Sequence, residues 1–459
     1  MTDADVIVIG AGPAGLAAAS RAAESGCSVL LLDEQVAPGG QIYRAVDACP
    51  PVVRDLLGDD YTEGRQLTER LRASGCHYVA GATVWKVDAD GQVVYSVNHQ
   101  AKSVGGRFVI VATGAIERPV PIPGWTLPGV MGVGAAQILL KTAALAVENA
   151  VLVGSGPLLY LLAVQLLRAG CPPQALVETQ ASAQYWRALR HLPAAVRNFQ
   201  TLLKGRQWLH ELKKAGVTRY TGATRLRITG EDRAASIEFF CGGRSHSLAT
   251  DTVLLHQGVV PNTQITRSMN LDHHWQEHQR CFIPTLDNRG ATSAEAIRVA
   301  GDGAGIVGAV ASRLLGERVA LHCLIEMDLV AAHDGAEMQR TLQRQIDREQ
   351  SIRAFLDVLY APSAIDQQVT DDTIVCRCEE VRVSDIQRYV DAGCIGPNQT
   401  KAFGRCGMGP CQGRYCGLTV TELLAAMNDM TPDAVGSYRI RSPLKPVTLG
   451  ELASLHDTP

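Results

Sequence analysis

Apolar residues in this chain form short continuous runs, several of them followed by glycine and then by an Ala- or Leu-rich stretch. The runs are residues 6–9, 29–32, 108–111, 150–153 and 175–178. A continuous apolar run of this length is typical of a parallel strand that is buried on both faces. Because helical stretches such as 16–25 follow the runs, the pattern predicts an α/β fold with two units that alternate strand and helix.

The first run enters a glycine-rich turn, Gly10-Ala-Gly12-Pro-Ala-Gly15, and the next strand ends in Asp33-Glu34. In a dinucleotide-binding unit the first glycine permits a tight turn, the second lets backbone approach a pyrophosphate, and the third allows close helix–strand packing. An acid about 20 residues further on bonds the ribose hydroxyls. Asp33 is better placed because it directly ends the strand, and Glu34 is the alternative. We therefore predict a dinucleotide site here.

The second strand–turn–helix has the same order but an incomplete fingerprint. Gly154 and Gly156 occupy the first two glycine positions, whereas Leu159 stands where the third glycine would allow close packing. The bound nucleotide is therefore shifted, changed or absent, and NAD(P) binding at this second Rossmann-like domain is doubtful.

Polar residues mark three more strand ends. The strand 108–112 ends in Thr113-Gly114, and the strand 297–300 leads into Gly301-Asp302, whose acid faces a polar ligand at the start of a helix. His256 ends another strand and is a weaker candidate. Other histidines are scattered, so the sequence offers no credible acid–base set, and the catalytic residues stay unknown.

The C-terminal region carries a cysteine cluster, Cys376-Arg-Cys378 and, after 32 residues, Cys411 with Cys416. Four thiolates in two close pairs enclose an iron–sulfur cluster or zinc, and the tight Cys-x-Cys pair fits a [2Fe–2S] site better. Cys406 is an alternative to Cys416, since each lies five positions from Cys411. We predict that the ligands are Cys376, Cys378, Cys411 and Cys416.

Length, net charge and cysteine content limit the classes of partner and the cellular location that we expect. The chain has 459 residues, enough for about three domains, and a net charge of −3, which supplies no basic field for nucleic acid. The N-terminus lacks a basic signal segment, and the apolar stretch 138–147 is too short to span a bilayer. Thirteen cysteines without a secretory signal therefore predict a cytoplasmic protein with metal or redox thiols.

Residues 1–325 resemble the two-dinucleotide-domain flavoproteins related to glutathione and thioredoxin reductase. The resemblance assigns Gly10, Gly12, Gly15 and Asp33 to the ADP half of FAD, and Thr113-Gly114 to the returning strand. It also assigns Gly40-Gln41 to a loop beside the flavin ring and Gly301-Asp302 to the ribityl chain. Disulfide reductases carry a dithiol beside the flavin, and no Cys-x-x-Cys or Cys-x4-Cys pair precedes residue 376.

Residues 371–430 resemble the bacterioferritin-associated-ferredoxin type of [2Fe–2S] domain, although here four residues rather than two separate the closing cysteines. The fusion is most similar to the A (alpha) subunits of bacterial opine oxidases. It also resembles the alpha subunits of proline and hydroxyproline dehydrogenases and of hydrogen cyanide synthase. The resemblance implies two Rossmann-like domains and a small, mainly α-helical [2Fe–2S] domain. The expected domains are 1–120 with 262–326 (FAD), 121–261 (second nucleotide fold), 327–370 (charged helical linker), 371–435 ([2Fe–2S]) and 436–459 (C-terminal strap).

The resemblance implies an electron-transfer subunit with FAD and [2Fe–2S], and with FMN between subunits. The substrate C–N bond would be oxidised in a D-amino-acid-oxidase-like partner, and the electron acceptor is not indicated. Two alternatives stay open. One is a self-contained NAD(P)H-dependent reductase of a ferredoxin or small acceptor, and the other is an iron–sulfur sensor or docking module without turnover.

Overall fold

The computed structural model describes residues 4–365 and 368–457. Its strands, numbered in chain order, are β1 Ala4–Ile9, β2 Val29–Asp33, β3 His77–Ala80, β4 Thr83–Val87, β5 Gln92–Val97, β6 Gln100–Val111, β7 Ala115–Glu117, β8 Val130–Gly132, β9 Val151–Ser155, β10 Ala175–Glu178, β11 Thr218–Thr221, β12 Thr224–Thr229, β13 Ser236–Cys241, β14 Arg244–Ala249, β15 Val253–Gln257, β16 Val259–Pro261, β17 His273–Gln276, β18 Cys281–Pro284, β19 Ile297–Val299, β20 Ile374–Cys376 and β21 Val381–Arg382.

The α-helices lie mostly between these strands and in the C-terminal third. They are α1 Pro13–Glu24, α2 Pro51–Leu57, α3 Asp59–Thr62, α4 Gly64–Ala73, α5 Val133–Ala143, α6 Pro157–Arg168, α7 Ser182–Leu189, α8 Leu192–Ala195, α9 Phe199–Lys214, α10 Gln264–Ser268, α11 Ala309–Glu326, α12 Ala332–Gln350, α13 Arg353–Leu359, α14 Val383–Asp391, α15 Pro397–Gly404, α16 Gly417–Met427, α17 Pro432–Val435 and α18 Leu449–Ala453. No helix in the described ranges is long and apolar enough to cross a membrane.

The first sheet has the strand order β3-β2-β1-β6-β5-β4, with β19 also paired to β6. The pairs β1–β2, β1–β6, β2–β3 and β6–β19 are parallel, whereas β5 pairs antiparallel with both β4 and β6. Along β1, Val6 and Val8 belong to one buried core and Ile7 and Ile9 to another. The apolar run is continuous because helices or other elements cover both faces of the strand.

Helix α1 begins at Pro13, three residues before the predicted start, because proline is suited to the first helical position. It packs closely against α11. A Cβ added at Gly316 of α11 would lie 2.1 Å from the carbonyl oxygen of Ala14. The glycine is therefore needed for the two helices to approach.

The second parallel sheet has the order β11-β10-β9-β15-β8, and the antiparallel sheet β12-β13-β14 packs beside it. Strands β7 and β16 form an antiparallel pair where the chain passes between the two units. The predicted α/β class with two Rossmann-like units is confirmed.

The charged segment after α11 forms α12 and α13, as its helical period predicts. Helix α13 does more than link two modules, because it packs against α7 of the second unit. Tyr360, just after α13, lies with its ring centroid 6.1 Å from that of Tyr160. The linker therefore covers part of the second nucleotide fold.

Residues 368–457 form a small module of β20, β21 and short helices, followed by the C-terminal strap. Its buried side chains, including Ile386 and Val420, join the same apolar core as Ile7 and Val109 of the first sheet. Trp125 also donates its indole N–H to the carbonyl of Ile374 at 2.8 Å. The module is thus packed directly onto the rest of the protein.

Candidate functional site

A cavity of about 790 Å³ runs along the carboxyl ends of the parallel strands, where ligands bind in open α/β sheets. Its walls come from the first glycine turn, the crossing strands, the second glycine turn and the cysteine module. Most of the cofactor residues predicted from the sequence line it: Gly10, Gly12, Asp33, Glu34, Gly40, Gln41, Thr113, Gly114 and Asp302. Gly15 and Gly301 lie behind this wall and shape it.

Of the three glycines in the first turn, two are required by the packing of the protein and one borders open space. A Cβ at Gly10 would lie 2.5 Å from the Ala112 carbonyl oxygen, and one at Gly15 would lie 1.8 Å from that of Gly10. These two positions need glycine for the protein's own packing. A Cβ at Gly12 meets nothing nearer than Gly40 Cα at 3.8 Å, and it borders the cavity. Gly12 therefore leaves open space suited to a pyrophosphate.

The two acids after β2 have different environments. Asp33 is 8% exposed and accepts hydrogen bonds from the backbone N–H of Ala11 at 2.5 Å and of Gln35 at 2.7 Å. Burial raises its pKa despite these bonds. Glu34 is half-exposed and forms an ion pair with Lys445 of the C-terminal strap. This contact, between residues 411 positions apart, had no signal in the sequence.

The Gly40-Gln41 loop approaches the first turn. Gly40 has φ +61°, and a Cβ there would lie 2.7 Å from Gly12 Cα. The loop is held from the second unit, because Lys141 Nζ donates to the carbonyl oxygens of Gln41 at 3.1 Å and Ile42 at 2.8 Å. Burial lowers the pKa of Lys141 to about 7. A cation was not predicted here, since Lys141 lies in an otherwise ordinary helical segment.

The Thr113-Gly114 and Gly301-Asp302 motifs also border the cavity. Gly114 accepts a hydrogen bond from the backbone N–H of Asn262 at 2.9 Å, at the crossing between β7 and β16. Asp302 Oδ1 accepts from the backbone N–H groups of Val307 at 2.8 Å and Gly308 at 3.0 Å. The carboxylate is thus fixed at the cavity wall, where it can accept a hydroxyl.

His256 forms a pair that the sequence pattern does not reveal. Its Nδ1 lies 2.6 Å from Oε1 of Glu117, and its side chain is 2% exposed. Both residues line the cavity, and Glu117 also accepts a hydrogen bond from the backbone N–H of Gly134. The sequence analysis gave His256 as a weak candidate without a partner, and the fold supplies Glu117 as that partner. Glu117 and His256 are 139 positions apart, so only the fold reveals the pair.

The second glycine turn is filled by protein. A Cβ at Gly154 would lie 1.7 Å from the carbonyl oxygen of His256, so this glycine is structural. Leu159 is fully buried in the core of the second unit. Glu178, at the ribose-binding position after β10, is also fully buried and accepts from Arg219 at 2.7 Å. Protein contacts therefore occupy Gly154 and Glu178, whereas Gly156 borders the cavity.

The clustered cysteines form two groups. The sulfur atoms of Cys376, Cys406 and Cys416 lie within 4.8 Å of one another, and all three are buried. Hydrogen bonds from the Cys406 and Cys416 thiols depress the pKa of Cys376 strongly. Cys378 is exposed and lies in hydrogen-bond contact with Cys411. The structure therefore brings the four predicted ligands and Cys406 into one region, with Cys406 and Cys416 both beside Cys376.

The loop between Cys411 and Cys416 connects this region to the cavity. Its residues Arg414 and Tyr415 line the cavity wall. Burial lowers the pKa of Arg414. Gly413 is close to the strap, because a Cβ there would lie 2.5 Å from the ring of Tyr438. The thiol region and the cofactor cavity thus share one wall.

Comparison with protein families defines the class. A model described as pyridine nucleotide-disulphide oxidoreductase matches residues 4–321, and one described as sarcosine oxidase A3 domain matches residues 370–456. The chain therefore belongs to the pyridine nucleotide-disulphide oxidoreductases and is a flavoprotein oxidoreductase.

Relatives that match nearly the whole chain identify a particular family within this class of oxidoreductases. The chain is 43% identical to the A subunit of opine oxidase from Rhizobium meliloti, over 99% of this chain and 88% of the relative. It is 29% identical to the HcnB subunit of hydrogen cyanide synthase from Pseudomonas aeruginosa, over 98% of each chain. The chain belongs to the family of opine oxidase A subunits, and the predicted resemblance to that family is confirmed.

Solved structures agree on the fold. L-proline dehydrogenase from P. horikoshii superposes with a TM-score of 0.72 at 19% identity, covering 98% of this chain and 79% of that one. Thioredoxin reductase from T. acidophilum gives a TM-score of 0.52 at 19% identity, covering 72% of this chain and all of that one. The similarity to thioredoxin reductase spans only part of the chain.

Proposed function

We propose that this chain is the FAD- and [2Fe–2S]-containing electron-transfer subunit of a heteromeric opine or amino-acid oxidase. The substrate C–N bond is oxidised in a partner protein that resembles D-amino-acid oxidase. The observation that carries the proposal is the wall shared by the cofactor cavity and the thiol region, formed by Arg414 and Tyr415. A redox cluster held next to a flavin site can exchange electrons with the flavin, whereas a structural zinc ion cannot.

The residues of the cavity fit FAD. Gly12 leaves the space that a pyrophosphate fills, and the helix α1 that follows presents its N-terminus there. Asp33 offers carboxylate oxygens to a ribose, and Asp302 offers them to the ribityl hydroxyls. Bound FAD supplies the ability to accept two electrons and release them singly. The protein's part is to hold, orient and shield the cofactor.

The thiols fit a [2Fe–2S] cluster. Cys378 with Cys411 forms one pair, and Cys376 with Cys416 forms the other. Cys406 lies close enough to replace Cys416. We assign Cys416 as the fourth ligand because it is buried beside Cys376 and follows Cys411 in the chain, as the closing cysteine of the family does, although four residues rather than two separate the pair. An FMN at the boundary between subunits is part of the proposal, without residues assigned to it.

The partner supplies what this chain lacks. Oxidation of an opine needs a pocket that binds a carboxylate, typically with an arginine clamp, and orients the C–H bond toward a flavin. We assign this pocket to the partner and the cofactor cavity of this chain to FAD. Relatives named as subunits of opine oxidase and of hydrogen cyanide synthase support a heteromer.

The self-contained NAD(P)H-dependent reductase is disfavoured. Leu159 replaces the glycine that would allow close helix–strand packing, and the buried Glu178, the acid at the ribose position, is already paired with Arg219. A sensor or docking module without turnover does not explain why a large FAD-type cavity is bordered by Arg414 and Tyr415 of the cysteine loop. Electron transfer explains both features together.

Purification of the chain alone and with a co-expressed D-amino-acid-oxidase-like partner tests the proposal. The isolated chain should contain FAD, iron and sulfide. Opine-dependent reduction of an artificial electron acceptor should appear only with the partner. Absence of FAD or of iron from the isolated chain would contradict the proposal.

A further inference from the structure

The C-terminal strap starts among the thiols. The ring of Tyr438 lies against Gly407 and Gly413, and its hydroxyl is 3.0 Å from that of Thr400. Tyr438 is 4% exposed and belongs to the same apolar core as Cys406. The first residues of the strap are therefore part of the packing that surrounds the cysteines.

The strap then runs from the cysteine loop along the wall of the cofactor cavity. Gln412, in the cysteine loop, donates a hydrogen bond to the carbonyl of Pro443. The backbone N–H of Leu444 donates to the carbonyl oxygen of Trp85 at 2.7 Å, on β4 of the first sheet. Leu444 is 3% exposed. One short segment thus joins the cysteine loop to the strand that borders the nucleotide end of the cavity.

Leu444 and Lys445 face the cavity beside the acids that follow β2. Both line it together with Asp33, Glu34 and Val84. Lys445 forms an ion pair with Glu34. Burial lowers the pKa of Lys445, and the nearby Asp33 carboxylate acts in the opposite direction by favouring the charged ammonium group. Beyond Lys445 the strap stays attached, because Val447 packs against the buried core around Trp85.

We propose that the C-terminal strap is a wall of the FAD site, closed over the adenosine half by the Glu34–Lys445 ion pair. The inference rests on the proposed function only in taking FAD as the occupant. FAD leaves when the strap lifts, and the strap cannot lift without disturbing Tyr438 beside the thiols. Retention of FAD is therefore coupled to the integrity of the cysteine module.

Release of FAD measures this coupling. The purified wild-type chain and its variants are diluted into excess apo-glucose oxidase, which captures free FAD and becomes active, and the rate of FAD loss is followed. Lys445→Ala should speed release about two- to fivefold, the range expected for one partly exposed ion pair. Truncation after Pro443 removes Leu444 as well and should speed it by more than about tenfold, because an apolar wall is lost too.

Further variants test whether the Glu34–Lys445 ion pair, here called the latch, holds the strap closed or whether Lys445 contacts the cofactor directly. Glu34→Gln should speed release as much as Lys445→Ala does, and the double variant Glu34→Gln with Lys445→Ala should release FAD no faster than either single variant, because all three lack the same ion pair. Lys213→Ala, on the remote helix α9, is the matched control and should release FAD at the wild-type rate. If Lys445→Ala speeds release and Glu34→Gln does not, the lysine acts on the cofactor directly and the latch is refuted.

The outcomes separate this inference from the proposed function. A wild-type chain that holds no FAD refutes the proposed function. A wild-type chain that holds FAD, with Lys445→Ala and Glu34→Gln both releasing it at the wild-type rate, refutes only the strap. The visible spectrum of the iron–sulfur chromophore, recorded on each variant, shows whether the truncated chain has kept a folded cysteine module.

Discussion

Arg219 donates from Nε to Oε1 of the fully buried Glu178 at 2.7 Å, at the end of the second strand of the second nucleotide unit. In a functional dinucleotide site an acid at this position would accept bonds from ribose hydroxyls. Releasing Glu178 for a ligand would leave a buried charge without its partner, which costs several kcal/mol. The second unit has kept the fold, and its acid at the ribose position is paired within the protein.

The first prediction follows from the Arg219–Glu178 ion pair. NADH and NADPH should not bleach the flavin of the purified chain within seconds in a rapid-mixing absorbance experiment. Dithionite, as the control, should reduce the same flavin fully. Rapid bleaching by either nucleotide would restore the self-contained reductase as the leading function.

The second prediction compares two glycines of the first turn. Gly12→Val should lower the FAD content more than about tenfold, equivalent to ~1.4 kcal/mol, because its side chain fills ligand space. It should keep the far-UV circular dichroism of the wild type. Gly15→Ala should instead destabilise the fold by about 1–3 kcal/mol or more, because its Cβ meets the Gly10 carbonyl oxygen. Full FAD content in Gly12→Val would show that the pyrophosphate is elsewhere.

The third prediction concerns the thiols. Serine at Cys376, Cys378, Cys411 or Cys416 should abolish or sharply reduce the bound iron and sulfide, because serine is a poorer ligand than thiolate. Cys406→Ser should keep ~2 iron atoms per chain. Iron and sulfide analysis of the five variants checks this. The reverse result for Cys406 and Cys416 would exchange their roles.

The fourth prediction uses Lys141, whose pKa burial lowers from 10.5 to about 7. Between these values the unfolded chain binds a proton that the folded chain does not, so stability rises with pH. The gain is up to about 1.4 kcal/mol per pH unit and is absent below about pH 7, where both states are protonated. Denaturation of the wild type and of Lys141→Met from about pH 7 to about pH 9 measures the difference. Equal pH dependence in the two proteins would show that Lys141 keeps its ordinary pKa.

The fifth prediction is that the isolated chain oxidises none of octopine, nopaline, proline, hydroxyproline, glycine or sarcosine. Turnover of ~1–10 per second should appear only with the partner protein. The His256–Glu117 pair makes this a sharp test, since it is the feature of the cavity that resembles acid–base machinery. Turnover by the isolated chain that His256→Ala abolishes would place the reaction here.

Local pattern was sufficient for much of the fold. The strand, Gly10 turn and helix are consecutive, so their apolar runs and glycine spacing predict the first unit directly. The two cysteine pairs in the same way predict the C-terminal module. The contacts between Glu117 and His256 and between Glu34 and Lys445 join residues more than a hundred positions apart. Only tertiary packing creates them, and no spacing in the sequence announces them. The burial of α13 against α7 was missed because its charged neighbours suggested a solvated helix.

The core that Ile386 and Val420 share with Ile7 and Val109 also constrains how the protein moves. A ferredoxin-like module on a flexible tether can swing between donor and acceptor, as a diffusing carrier does. This module cannot, because leaving its seat would expose the face of the first sheet to water. Under the proposed function, electrons would instead travel through a fixed geometry, and an acceptor would have to come to the exposed side of the module where Cys378 lies.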